Sequence, residues 1–510
     1  MKTIPLFFTF AFFATTIFAQ SQTRSYQCTI DLLNTQDDKV TVSCSPPKNN
    51  LKQGKFIIPK MVPGYYDAMN FGQYISDFIA LDKTGKEIRT ERLDKNSWMV
   101  HDLKNVVNIS YQVVDGWDSL QQNTQGAKSA ASTFIKDSVF VINYNSLVGY
   151  FQEMNDLSYK INVKKNKGFY PSSALNYIHK NDTIDVFSVK SYRELVDAPV
   201  LYCVPDTTWI KVGNAEVLVS FYNKEQRHYS KKIANELEII LKNQQAYLGG
   251  KLPVDKYAFL IYYEPSKEQG FMGDGLEHAQ STVCLYNSSN INYLTHALNA
   301  VASHEFFHIV TPLNIHSREI ENYDFLNPTL SKHLWLYEGM TEYATIHMPI
   351  KQKKIGLEEF TRKIEEKING MEGFDNKLSF TELSKNAVER QDQYMNFYQK
   401  GALLGLCLDI KLRELSDGKM GTQELMQQLM KKYGKGKYFN DDVLFDKITA
   451  MTSPEIRAFF SDYIEGGDPI PLKECLEKAG FEYDEIAKTI NPINNPNTRQ
   501  LALRKAWINQ

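Results

Sequence analysis

His304-Glu305-Phe306-Phe307-His308 is the segment of this 510-residue sequence whose residue types and spacing point most directly to chemistry. On a helix, residues four apart project from one face, so His304 and His308 can present both imidazoles to one ion. Glu305, one position on, can reach a water held by that ion and take its proton. H-E-x-x-H on a helix is the spacing of a hydrolytic zinc site; the competing reading is a surface helix with two hydrogen-bonded histidines. A third ligand is available in Trp335-Leu336-Tyr337-Glu338-Gly339-Met340-Thr341-Glu342-Tyr343. Glu338 is the candidate, because two His and one Glu hold zinc while leaving a position open for water or substrate. Glu342, one turn later on the same face, can accept the other N–H of a ligating His, which orients the ring and raises its basicity. The aromatic and apolar neighbours of these two glutamates argue against a freely solvated helix face.

Two further segments carry weaker signals. Gly273-Asp274-Gly275-Leu276-Glu277-His278 precedes a strand-like run at Thr282 to Tyr286. Gly275 lets a backbone approach closely, as an edge strand beside an extended peptide requires, and Glu277 could face a substrate amine. A plain turn with exposed acids fits the same residues. Tyr398, in Phe397-Tyr398-Gln399-Lys400-Gly401, could donate to the oxyanion of a tetrahedral intermediate; it also fits a packing role. His278, His316 and His333 receive no role from the sequence.

The elements that must position these groups are legible from periodicity. Helical spacing runs over Asn292 to Val310, and Ser331 could cap the helix that carries Leu334, Leu336, Tyr337, Met340 and Tyr343. Before them come a helix over Arg227 to Tyr247 and strands over Lys256 to Tyr263 and Thr282 to Tyr286. From Ser25 to Tyr202 the chain shows short alternating runs broken by turn residues, such as Lys55 to Pro59, Val106 to Val113, Ser138 to Tyr144 and Thr183 to Val189. That is an all-β domain with no catalytic constellation of its own. From Gly356 to Tyr463 the period is helical. The expected class is therefore α+β and multidomain. Residues 20–205 form the β-rich domain, 206–350 the catalytic domain, 351–465 a helical domain completing the site, and 466–510 a C-terminal appendage.

Bulk properties narrow the partners. The formal net charge is -2, with 43% hydrophobic and 23% charged residues, which excludes nucleic-acid or anionic-membrane binding driven by bulk charge. Lys2 followed by the apolar run Ile4 to Phe18 and Ala19 predicts a signal peptide over residues 1–19; an N-terminal anchor is the other reading. No later stretch is long and apolar enough to span a bilayer. The expected location is periplasmic or extracellular. None of the six cysteines lies in a CxxC pair. A hairpin centred on Gln36 would set Cys28 opposite Cys44, as a disulfide, which export permits, or as two half-buried thiols.

Taken together, these residues resemble the glycyl aminopeptidase family of zinc peptidases, family M61. The shared features, in order, are Pro63-Gly64-Tyr65 in a β-rich N-terminal domain, Gly-Leu-Glu-His at Gly275 to His278, the zinc helix at His304 to His308, Trp-x-x-Glu-Gly at Trp335 to Gly339, and Tyr398 before Lys400-Gly401. The resemblance implies a thermolysin-like α/β catalytic domain holding one Zn2+ on His304, His308 and Glu338. It implies Glu305 as general base, Tyr398 as the transition-state tyrosine and Glu277 as the reader of the substrate's free amine. The implied reaction is release of small N-terminal residues, Gly or Ala, from a peptide substrate. The segment Ile309 to Arg318 departs from the family, which often has Trp-Asn and basic residues there, and too few residues follow Gly466 for the PDZ domain many members carry. A zinc endopeptidase of the same fold and an inactive secreted binding protein are the rival readings.

Overall fold

The computed structural model describes residues 25–120, 127–265, 271–288, 301–434 and 436–509. The predicted leader, 1–19, and positions 292–300 of the predicted helix lie outside the described residues. The chain has the α+β organisation expected: a β-rich N-terminal domain, a mixed sheet, then a helical region.

The N-terminal strands alternate buried and exposed residues because one face meets the core. In Ser25–Gln36, Tyr26, Cys28, Ile30 and Leu32 are buried while their neighbours are not. This strand pairs antiparallel with Lys39–Ser45 through Asp37 and Asp38, whose φ values of 49° and 51° suit a tight two-residue hairpin turn. The register sets Cys28 opposite Cys44, and the two form a disulfide. An eight-stranded sheet built on this hairpin packs with two four-stranded sheets. The run expected at Ser138 to Tyr144 is shorter, Val139–Ile142, because Tyr144 starts the short helix Tyr144–Leu147.

A five-stranded sheet follows, in the order Thr207–Val212, Ala215–Asn223, Lys256–Pro265, Ser281–Ser288 and Phe271–His278. Its three middle strands are parallel, with helix Ser230–Tyr247 crossing between the first two of them. Phe259, Ile261 and Tyr263 pack toward the helices; Ala258, Leu260 and Tyr262 pack toward the β-rich domain. Covered on both faces, the strand Lys256–Pro265 reads as an almost unbroken apolar run. Phe271–His278 lies at the sheet edge, antiparallel to Ser281–Ser288.

The helical region is organised around Lys400–Leu415, which is buried on nearly every side. A buried polar network crosses it. Tyr343 donates to Asp409 (2.7 Å), Trp507 Nε1 donates to the Tyr343 hydroxyl (2.8 Å), and Arg413 pairs with Asp409 at 2.9 Å. His347 Nε2 donates to the Trp507 carbonyl (2.8 Å), and its Nδ1 accepts from the Tyr247 hydroxyl (2.8 Å). The expected appendage at 466–510 is thus no appendage: Thr498–Ile508 inserts Trp507 and Ile508, both fully buried, into the main helical core.

Two glycines bring the helix at Met340–Lys351 and the helix at Lys400–Leu415 into backbone contact. A Cβ on Gly339 would lie 2.9 Å from the Cα of Gly401. Helix propensity favours Ala over Gly by about 1 kcal/mol, but overpacking against rigid backbone costs about 1–3 kcal/mol. Gly339→Ala should therefore lower the thermal midpoint of unfolding. A midpoint equal to or above that of the unsubstituted protein would show that the two helices have room to part.

Candidate active site and metal centre

Among the described residues, 301–307 are helical and carry His304 to Phe307 of the H-E-x-x-H segment, with His308 in the turn that follows. The helix ends sooner than Val310: His308, Ile309 and Val310 each donate to the carbonyl three residues back, a tightened last turn. The two middle residues of the motif anchor it. Phe306 packs on Tyr257 with ring centroids 4.9 Å apart, and Phe307 packs on Tyr247 at 5.9 Å. With that face against the sheet and its crossing helix, His304, Glu305 and His308 turn the other way, into a buried pocket of polar groups.

Glu338 meets them there from a π-helical turn, Trp335–Gly339. Its Oε2 lies 3.4 Å from His304 Nε2 and 3.8 Å from His308 Nε2, and one ligand atom from each residue lies within 4.8 Å of the others. Donors held at about 2.1 Å from a tetrahedral ion sit about 3.4 Å apart, so the spacing fits a small divalent metal. The far side of each ring fits as well. His304 Nδ1 lies 3.0 Å from Glu342 Oε2, and His308 Nδ1 donates to the Thr311 carbonyl at 3.0 Å. With each Nδ1 so engaged, both Nε2 atoms face the centre. Lys367 pairs with the other oxygen of Glu342 at 2.6 Å. The two histidines, Glu338 and Glu342 thus meet in the way their spacing predicts. Lys367 and Thr311 carry no local motif that would have marked them.

Glu305 is pressed against the edge strand. A Cβ on Gly275 would lie 2.9 Å from the Glu305 side chain, so the glycine makes room for this carboxylate. Glu277, two residues along the same strand face, brings its carboxylate within 4.8 Å of Glu305 and His308 donor atoms. Glu277 is only 7% exposed, which excludes a turn with exposed acids, and its Oε1 has no hydrogen-bond partner among the described residues. Tyr398 lies beside Glu338 and is tilted over His304, ring centroids 5.3 Å apart. Two tyrosines without a sequence signal complete the wall: Tyr394, 6.0 Å from Tyr398, and Tyr66 of the β-rich domain, 5.8 Å from Tyr394. His316 and His333 stand apart from the cluster, bonded to Glu321 and to the Asp441 carbonyl.

Electrostatics mark the cluster as short of positive charge. Burial pushes the Glu305 carboxyl up to about 8; His304 opposes this and Glu338 adds to it. Burial likewise holds Glu277 well above the ordinary range, reinforced by Glu338 and Glu305. Glu338 goes the other way: burial raises it, but its hydrogen bond with His304 and the nearby His308 prevail and lower it. Burial pushes His308 down to about 4. For His304, burial is outweighed by the hydrogen bonds to Glu338 and Glu342, which hold it protonated well above its usual value. A proton on His304 stands where a metal's charge would otherwise sit.

Comparisons with known proteins agree with this geometry. Residues 27–204 match the Peptidase M61 N-terminal domain, and residues 297–404 match the M61 glycyl aminopeptidase domain. The curated proteins contain no match. Among solved structures, an aminopeptidase N family protein from Idiomarina loihiensis superposes with a TM-score of 0.77 at 22% identity, over 90% of this chain and 78% of that one. An M1 zinc metallopeptidase mutant from Deinococcus radiodurans, bound to a Tyr-Ser-Ala substrate, superposes with a TM-score of 0.56 at 9% identity, over 88% of this chain and 95% of that one. These likenesses concern the fold; the two domain matches, one over the β-rich domain and one over the metal cluster, identify the chain as a member of peptidase family M61, the glycyl aminopeptidase family.

Proposed function

We propose that this protein is an exported zinc aminopeptidase that releases small N-terminal residues such as Gly and Ala from peptides. The observation that carries the reading is the placement of Glu277. In a peptide, the α-amine nitrogen lies about 2.5 Å from the carbonyl carbon of its own residue, and a hydrogen-bonded carboxylate adds about 2.8 Å. A group that reads the free amine must therefore sit about 5 Å from the reacting carbonyl. Glu277 has a ligand atom within 4.8 Å of both Glu305 and His308 and is 7% exposed, so its carboxylate is buried at that reach from the reacting centre. Two histidines and a glutamate, with each ring held from behind, suit zinc. Export is supported by the leader-like pattern of the first 19 residues and by the Cys28–Cys44 disulfide.

The residues have separable tasks. His304, His308 and Glu338 would hold zinc, which when bound would supply Lewis acidity and make a water acidic enough to lose a proton near neutral pH. Glu305 takes that proton as water attacks the carbonyl and hands it to the departing amine as the C–N bond breaks. Burial against Gly275 raises the Glu305 carboxyl above its ordinary range, the direction that suits a proton acceptor working near neutral pH. Tyr398, its hydroxyl already at the Glu338 carboxylate, turns that O–H toward the developing oxyanion. Glu277 holds the amine, and Gly273 and Gly275 leave the edge strand smooth enough for a peptide to lie beside it.

Hydrolysis of a panel of aminoacyl chromogenic amides, with and without chelator, tests the whole reading. Gly and Ala amides should be cleaved, chelator should abolish cleavage, and N-acetylation should block it. Equal cleavage of acetylated peptides would make the protein an endopeptidase. Glu305→Gln should keep its zinc and lose a factor of about 10²–10⁴ in kcat; an active variant would remove Glu305 as the base. Glu342→Gln should weaken zinc affinity about 10–100-fold, read by competition with a chelator, and an unchanged affinity would reduce Glu342 to a partner of Lys367.

A further inference from the structure

The Pro63-Gly64-Tyr65 segment has no part in the chemistry described so far, and its place in the fold gives it one. Val62 to Tyr65 is a β-turn: Tyr65 N–H donates to the Val62 carbonyl at 3.4 Å, Pro63 occupies the second position and Gly64, with φ of +86°, the third. A positive φ at the third position is what this turn type requires. The turn belongs by sequence to the β-rich domain, yet it lies directly on Glu277. A Cβ on Gly64 would fall 2.8–2.9 Å from Oε1, Cδ and Oε2 of that carboxylate. Its two ends are fastened to the other module. Lys60 N–H donates to the Phe325 carbonyl at 2.8 Å, and Gln391 Nε2 donates to the Tyr66 carbonyl at 2.5 Å. Tyr66 is the residue of this loop that enters the main helical core. Val62, Pro63 and Gly64 also line a cavity of ≈ 70 Å³ beside Glu277, together with Leu313 and Phe325.

We propose that the Val62–Tyr65 turn is a positioning element of the active site. Its glycine backs the Glu277 carboxylate and fixes where a substrate's amine can be held. The inference rests on the aminopeptidase reading, and deepens it by assigning the β-rich domain a share in amine recognition. Glu277 carries a buried Oε1 with no hydrogen-bond partner among the described residues, and a long glutamate side chain in a cavity has several rotamers open to it. The turn removes those that swing back toward the β-rich domain, leaving the carboxylate directed toward Glu305 and His308.

The test is a double-mutant cycle on the full chain with its zinc, using an Ala chromogenic amide and following kcat and KM separately. Gly64→Ala should keep its metal content and raise KM at least tenfold. Glu277→Asp, which draws the carboxylate back by one methylene, should also raise KM. The double variant should be better than the product of the two losses, because the shorter side chain gives the new methyl group its space. Strictly multiplicative losses would overturn the inference and reduce Gly64 to a residue needed for its backbone angle. Should Gly64→Ala fail to fold, Gln391→Ala decides: it frees one end of the turn and should raise KM several-fold with kcat nearly unchanged, and an unchanged KM overturns the proposal. If the unsubstituted protein cleaves acetylated and free peptides alike, the aminopeptidase reading fails first and this inference with it; if it discriminates and the cycle is multiplicative, only this inference fails.

Discussion

Four glutamates, Glu277, Glu305, Glu338 and Glu342, converge on two imidazoles in a region almost closed to water. An unpaired carboxylate there would cost many kcal/mol and would take up a proton instead. Among the described residues, the lysine paired with this group is Lys367, and it faces Glu342, behind His304. The inner three acids are balanced by imidazole alone, and burial has already driven Glu305 and Glu277 toward their neutral forms. Everything around the cluster makes sense as a frame built for a cation. The rings are braced from behind, the carboxylates are held from the sides, and the interior is left to be neutralised by an ion.

The means of holding them recurs. Two of the inner carboxylates, Glu305 and Glu277, are confined by backbone. Gly275 stands against Glu305, Gly64 stands against Glu277, and the Gly339–Gly401 contact sets the helix bearing Glu338 beside the segment bearing Tyr398. Backbone is stiffer than side chain, since its position is fixed by sheet and helix hydrogen bonds along many residues. A carboxylate pressed on a strand keeps its direction when a substrate arrives, which is the condition for electrostatic assistance without reorganisation.

How much of this was legible depended on the range over which each residue acts. His304, His308 and Glu305 lie within one turn of a helix, and Glu338 and Glu342 within another, so helical spacing alone aligns them. The parallel strand Lys256–Pro265 was equally plain, because burial on both faces leaves an apolar run. Glu277 and Tyr398 were weaker, since a glutamate on a strand and a tyrosine before a helix have many uses; the family resemblance gave them roles, and tertiary placement put them at the site. Gly64, Tyr66, Lys367 and Tyr394 were silent because each acts on a partner far away in the chain. The C-terminal segment was misjudged for a related reason. Thr498–Ile508 buries little beyond Leu503, Arg504, Trp507 and Ile508, too narrow a stripe to announce that its Trp507 joins the network around Asp409.

Tyr66 has a consequence for how such a protein can change over generations. A residue of one domain that is buried in the core of the other, and whose ring meets Tyr394 while its carbonyl holds Gln391, makes the two domains a single heritable unit. Neither could be exchanged for a homologous copy by recombination without replacing contacts on both sides of the junction.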